Sequence, residues 1–261
     1  MAGGRIVKLG VCGLFLILTL AGCVTTVNDP LTAKASSKKA VEEYVNLGLG
    51  YFQQQQYDLA IKRLRRALEI DPGNPRALSA LALVYQAQQE PELAEKTFLD
   101  VIREHPEFTQ GRSYYAAFLY QNDRLEDALA QLREASNDVE YEGRALLFFN
   151  IGQIERRLGH NERAIEAYRK SLVLNPAQPR VRLALAFAYS ESGQHEQAWK
   201  AFLQYRESVR RGLARHSAAS VALGVRTARA LGLKDEEASL LLLLKNQYRN
   251  SKEARDLLGE P

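Results

Sequence analysis

The 261-residue chain is 46% hydrophobic and 25% charged, with a formal net charge of only +4 and two cysteines. So small a charge gives little electrostatic reason to expect nucleic acid as a partner. Two cysteines, one of them inside an N-terminal leader, exclude a disulfide framework.

Arg5 and Lys8 form a short basic region, and "LGVCGLFLILTLAG" then runs apolar up to Cys23. Such a run reads as a secretory signal, too short and wrongly flanked for a stable membrane span. Its end, "LAGC" at Leu20 to Cys23, resembles the bacterial lipobox, in which the cysteine is lipidated and becomes the first mature residue. The expected division is a signal peptide over 1–22, a lipidated N-terminus with a flexible tether over 23–40, and a folded part over 41–255. Cleavage would remove Cys12, Arg5 and Lys8, leaving Cys23 for lipid attachment and lowering the charge to +2. One acyl chain anchors only marginally; the lipoprotein resemblance implies three. In such lipoproteins an aspartate after the cysteine favours the inner membrane, so Val24 at that place implies the outer membrane. Residues 24 to 39, "VTTVNDPLTAKASSKK", lack apolar periodicity and read as a spacer.

From residue 41 onward the pattern is helical, with no convincing alternating strand. In "YVNLGLGYF", residues 44 to 52, Gly48 and Gly50 interrupt an amphipathic helix, and glycine costs about 1 kcal/mol against alanine there. A phosphate-binding loop fails on context, because no strand precedes the pair and no third glycine completes the motif. The internal period gives a better reason. Residues 41–74 align with 75–108 at a spacing of 34: Leu47, Gly48 and Tyr51 match Leu81, Ala82 and Tyr85. Ala60, Leu64 and Ala67 match Ala94, Phe98 and Val101, and Pro72 matches Pro106. A small residue, a tyrosine, an alanine and a terminal proline at fixed offsets form the tetratricopeptide pattern, a pair of helices A and B that stacks into a solenoid. Gly48 is then the close-approach position where helix A crosses helix B, with Ala60 its small partner, and Gly50 is a tolerated small residue.

Further units follow over 109–144, 145–178 and 179–212, the fourth carrying Gly152, Ala164 and Pro176. The third loses its terminal proline, and "SNDVEYEGR" inserts about two residues before the fourth. A last pair, about 219–252, keeps Gly232, Ala238 and Leu242, as expected of an atypical capping unit. The expected fold is all-α, a right-handed superhelical solenoid of about six repeats. The run "LLLLL" at 240–244 is too short to span a membrane and reads as the buried face of the last helix.

Enzymatic machinery is hard to find. His105, His160, His195 and His216 fall mostly in turns, and none forms an i,i+4 pair, so neither a metal nor another cofactor is expected. A solenoid of this kind offers a concave groove lined by its A helices. The groove-facing places of the first unit are Glu42, Val45, Leu49 and Phe52, three of them apolar, and Leu83 extends them into the second. Such places are Arg76, Ser79, Leu83 and Gln86 in the second unit and Gln110, Ser113, Ala117 and Tyr120 in the third, and Leu183 with Phe187 make a weaker apolar pair in the fifth. The strip Val45, Leu49, Phe52 and Leu83 is expected to dock an amphipathic peptide or helix.

Beyond the repeat, the chain resembles the PilF/PilW family of type IV pilus biogenesis lipoproteins, which act as pilotins. The likeness rests on "LAGCVTT", "YVNLGLGYFQQQQYDLA", "QAQQEPELAEKTF", the junction "YYAAFLYQNDRLEDALAQLREASNDVEYEGRALLFFNIG" and "LGVRTARALGLKDEEAS". It implies a non-enzymatic adaptor that binds the outer-membrane secretin subunit and promotes its localisation and multimerisation. The bilayer, through acylated Cys23, and the lipoprotein sorting machinery are further implied partners. The repeats and lipobox alone serve equally well for a lipid-anchored scaffold that recruits cell-wall enzymes; the junction argues against it.

Overall fold

A computed structural model describes residues 30–259, with side chains from residue 34. Cys23, the signal peptide and the first part of the expected tether lie outside these residues. The described chain forms thirteen helices: α1 Pro30–Gln53, α2 Tyr57–Ile70, α3 Pro75–Ala87, α4 Pro91–Glu104, α5 Thr109–Gln121, α6 Leu125–Ala135, α7 Arg144–Arg157, α8 Asn161–Leu174, α9 Pro179–Glu191, α10 His195–Arg210, α11 Ala218–Ala230, α12 Lys234–Gln247 and α13 Lys252–Leu258. The odd-numbered helices up to α11 are the A helices of six units, the even-numbered ones the B helices, and the whole is an all-α tetratricopeptide superhelix. None of the described helices is long and apolar enough to cross a membrane.

The turns explain why the helices stop where they do. Each A helix ends on a residue with positive φ: Gln55, Gln89 and Asp123 in the first three units, Gly159, Gly193 and Gly232 in the last three. The next backbone N–H then reaches back to the carbonyl five residues earlier, as in Gln56 to Tyr51 (2.9 Å), Glu90 to Tyr85 (3.0 Å) and His160 to Glu155 (2.8 Å). Gln194 to Tyr189 and Leu233 to Ala228 repeat the bond at 2.8 and 2.9 Å. This is the Schellman closure, which satisfies a carbonyl that the helix end leaves orphaned. Corners 55, 89 and 123 are 34 residues apart, and the step from Asp123 to Gly159 is 36, so the third-to-fourth junction carries two extra residues. That junction is pinned: Thr109 Oγ1 donates to Asp138 (2.6 Å), Arg144 Nε donates to the Ser136 carbonyl (3.0 Å), and Tyr141 packs on the core. Pro72, Pro106 and Pro176 each stand two residues past the end of a B helix.

Small residues set the packing of A on B. Ala60, Ala94, Ala128, Ala164 and Ala198 are fully buried, as are Ala82 and Ala186 on A helices. A Cβ on Gly48 would stand 2.7 Å from Leu64, and one on Gly152 would stand 2.5 Å from the Tyr168 ring. Nothing lies within 4 Å of a Cβ on Gly50. Tyr51 and Tyr85 are half-buried on the first core cluster, beside Leu64 and Leu81. In the fourth unit a buried carboxylate, Glu155, takes the tyrosine's place and is held by Arg133 (2.6 Å) and by His160 Nδ1 (2.9 Å).

Four expectations need correction. The tether over 23–40 is not loose throughout, because α1 begins at Pro30 and residues 34–39 are exposed helix. Val45 is not a groove residue. It is 1% exposed and packs with Val41, Ala67 and Ala77, since its side of α1 meets α2 and α3. Leu47, matched by the repeat to Leu81, does not share its environment: it is 49% exposed whereas Leu81 is buried. In the last pair Ala238 and Leu242 face solvent, while Leu240 and Leu244 form the buried face and α13 packs on α11 and α12.

Candidate docking groove

Consecutive A helices touch one another, α3 with α5, α7 with α9 and α9 with α11, which puts them on the inner face of the superhelix. At its N-terminal end Leu49 and Phe52 are half-buried, resting on the cluster of Ala60, Leu64, Ala80, Leu81 and Val84. The Phe52 and Tyr57 rings lie 6.1 Å apart. Leu83 is also half-buried but belongs to the next cluster, with Phe98, Tyr115 and Phe118. Of the four expected strip residues, Leu49 and Phe52 are thus brought together on one cluster, Leu83 packs on the next one, and Val45 is core.

The middle of the inner face, where the repeat pattern puts Ala117, Tyr120 and the weaker pair Leu183 and Phe187, carries contacts that the pattern did not assign. A ladder of arginines and aromatic rings runs along α5, α7 and α9. Arg157 lies over the Tyr120 ring (5.2 Å to the centroid) and pairs with Asp123 (2.7 Å). Arg156 lies over Phe187 (5.2 Å) and holds Glu191 through two hydrogen bonds of 2.8 and 2.9 Å. Arg180 lies over Phe149 at 4.1 Å and has no ion pair among the described residues. Planar guanidinium groups stack on ring faces while keeping their donors free for a carboxylate.

Beside this ladder a cavity of about 170 Å³ opens between α5, α7 and α9, lined by Ala117, Tyr120, Phe149, Asn150, Gln153 and Arg180 among others. The Tyr168 hydroxyl donates to Gln153 Oε1 (2.9 Å), and burial pushes its pKa far above the usual tyrosine value, so it stays a donor. Gln86 Nε2 donates to Gln121 Oε1 (2.6 Å), tying α3 to α5 at the cavity's edge. Sequence spacing gave one signal for these residues, an arginine or aromatic at groove-facing places of successive A helices. Among the described residues no group of histidine, cysteine and carboxylate side chains is arranged to hold a metal.

Models of the TPR repeat match residues 48–89 and 152–193, and a tetratricopeptide repeat model matches 79–139. The chain is 34% identical over 246 residues to the type IV pilus assembly protein PilF of Pseudomonas aeruginosa, covering 94% of this chain and 96% of that one. A solved structure from a functional characterisation of Pseudomonas aeruginosa PilF superposes with a TM-score of 0.76 at 32% identity, over 87% of this chain and all of that one. The crystal structure of PilW, described as a widely conserved type IV pilus biogenesis factor, gives a TM-score of 0.70 at 24% identity, over 84% and 98% of the two chains, and shows the shared fold.

Proposed function

The chain belongs to the PilF/PilW family of tetratricopeptide-repeat type IV pilus biogenesis proteins, and on that premise we propose that it is an outer-membrane lipoprotein adaptor, a pilotin. In this reading it binds secretin subunits and promotes their outer-membrane localisation and multimerisation. The observation that carries it is the end-to-end identity with a pilus assembly protein, 34% over 246 residues. The envelope address comes from acylated Cys23 and lipoprotein sorting, and the bound surface is the N-terminal end of the groove around Leu49, Phe52 and Leu83. Subunits held near one membrane meet at high effective concentration, which favours ring assembly without catalysis.

Membrane fractionation of a strain lacking the gene, with secretin followed on gels that preserve multimers, tests the reading. Loss of multimers, or secretin stranded in the inner membrane, is expected, and Cys23→Ser should reproduce the mislocalisation. Leu49→Asp and Phe52→Asp should abolish secretin binding with helix content unchanged by circular dichroism. Normal outer-membrane multimers in the deletion strain would overturn the proposal.

A further inference from the structure

The cavity between α5, α7 and α9 is left unused by that reading. We propose that it is a second peptide subsite of the groove, taking one large apolar side chain from an extended segment whose neighbouring residue carries a carboxylate. The proposal rests on the groove being a peptide-binding face, as above, and not on which protein supplies the peptide.

Size sets the first condition. A cavity of about 170 Å³ is close to the roughly 150 Å³ apolar cavity that holds a benzene molecule, so it fits one leucine, methionine or phenylalanine side chain. Its apolar wall comes from Ala116, Ala117, Leu132, Phe149 and Ile154.

The polar rim sets the second. The amide oxygens of Gln153 and Gln121 are already engaged, by Tyr168 and by Gln86, so what these side chains retain is mainly N–H donors. Arg180 adds a guanidinium with donors only, oriented by its stacking on Phe149. Its neighbours Arg156 and Arg157 each have a carboxylate, Glu191 and Asp123, whereas Arg180 has none among the described residues. A rim this rich in donors and positive charge fits a ligand rich in acceptors. An extended peptide supplies main-chain carbonyls to the amides, and an acidic residue supplies the partner for Arg180.

The test uses the full mature chain, labelled with ¹⁵N, titrated with blocked extended peptides of about ten residues that differ only at their centre: Leu-Glu, Leu-Gln or Ser-Glu. The Leu-Glu probe should shift side-chain amide signals of Gln121 and Gln153, and either change should weaken binding by about tenfold. Arg180→Gln, a change at an exposed position, should erase the preference for Glu over Gln while leaving the protein folded. Ala117→Trp, which fills the mouth, should abolish binding of all three. Equal binding of the three probes, or a preference that survives Arg180→Gln, would overturn the subsite. Loss of Leu-Glu binding in Leu49→Asp would place the peptide at the other end of the groove and also overturn it. Dimerisation abolished by Arg180→Gln, with no peptide binding, would make a second copy of the chain the occupant instead. Normal secretin multimers in the deletion strain, beside a retained Leu-Glu preference, would remove the secretin reading and leave the subsite standing.

Discussion

Gly152 and Gly50 occupy the same kind of helix and have opposite reasons to be there. A methyl group on Gly152 would press to 2.5 Å on Tyr168, a ring with no exposed surface and no room to retreat. Gly152→Ala should therefore destabilise by about 1–3 kcal/mol through overpacking, read as a lower urea midpoint with an unchanged slope. Gly50→Ala meets nothing and should stabilise by about 0.5–1 kcal/mol through helix propensity alone. A second residue-scale prediction concerns His216, whose ring packs against Phe202 and Tyr205. Burial, helped by the Arg206 charge, lowers its pKa below the ordinary 6.5. The unfolded chain then binds the extra proton first, so this site contributes stability that is fully present above pH 6.5, starts to be lost below it, and is gone once the pH has fallen through the lower folded-state pKa. His216→Gln should flatten the fall in melting temperature between neutral and mildly acid buffer; an unchanged slope would remove His216 as its cause. At this scale the sequence marks which residues must be small, because a missing side chain is visible in the pattern. It does not mark what covers a residue, which is why Val45 turned out buried and Leu47 exposed.

At the scale of the helix, the recurrent device is the corner between A and B. The first three units put Gln55, Gln89 and Asp123 into the left-handed region that the last three fill with glycine. A side chain there costs roughly 1–2 kcal/mol, partly offset because glycine has more freedom to lose on folding. Gln55→Gly and Gln89→Gly should each stabilise by about 0.5 kcal/mol, and the reverse change Gly159→Gln should destabilise by about 1 kcal/mol, measured by urea denaturation. Asp123 is a poorer candidate, since its carboxylate also holds Arg157. Helix pairs, terminal prolines and the two-residue insertion were legible because repetition at 34 residues averages over each unit's irregularities. The first part of α1 was not, because an exposed helix carries no apolar stripe to announce itself. Neither was α13, seven residues long, whose helix exists by packing Ala254 against its neighbours.

For the whole molecule, the inner face was only half legible for a topological reason. Its contacts join residues 34 or 35 apart, such as Arg157 with Asp123 and Arg156 with Glu191, and a periodic sequence says that such residues are neighbours without saying which pairs form. The core is likewise a chain of local clusters: one centred on units one and two, one spanning two to four, one joining four and five, and one joining five and six. A stack of this kind loses stability locally. Leu64→Ala in α2 and Leu147→Ala in α7 each delete a buried side chain and should cost about 2–5 kcal/mol at the site. Their consequences should differ. Leu64→Ala should release amide protection in α1 to α3 and leave α9 to α12 unchanged, giving a two-step urea curve. Leu147→Ala sits in the cluster that joins the two halves and should lower protection on both sides of α7. Uniform loss from either change, followed by hydrogen exchange, would mean one cooperative body. If the end unit does fray first, the surface around Leu49 and Phe52 is the least stable part of the groove. A ligand that binds only the folded form would then be expected to restore protection in α1 to α3 before anywhere else.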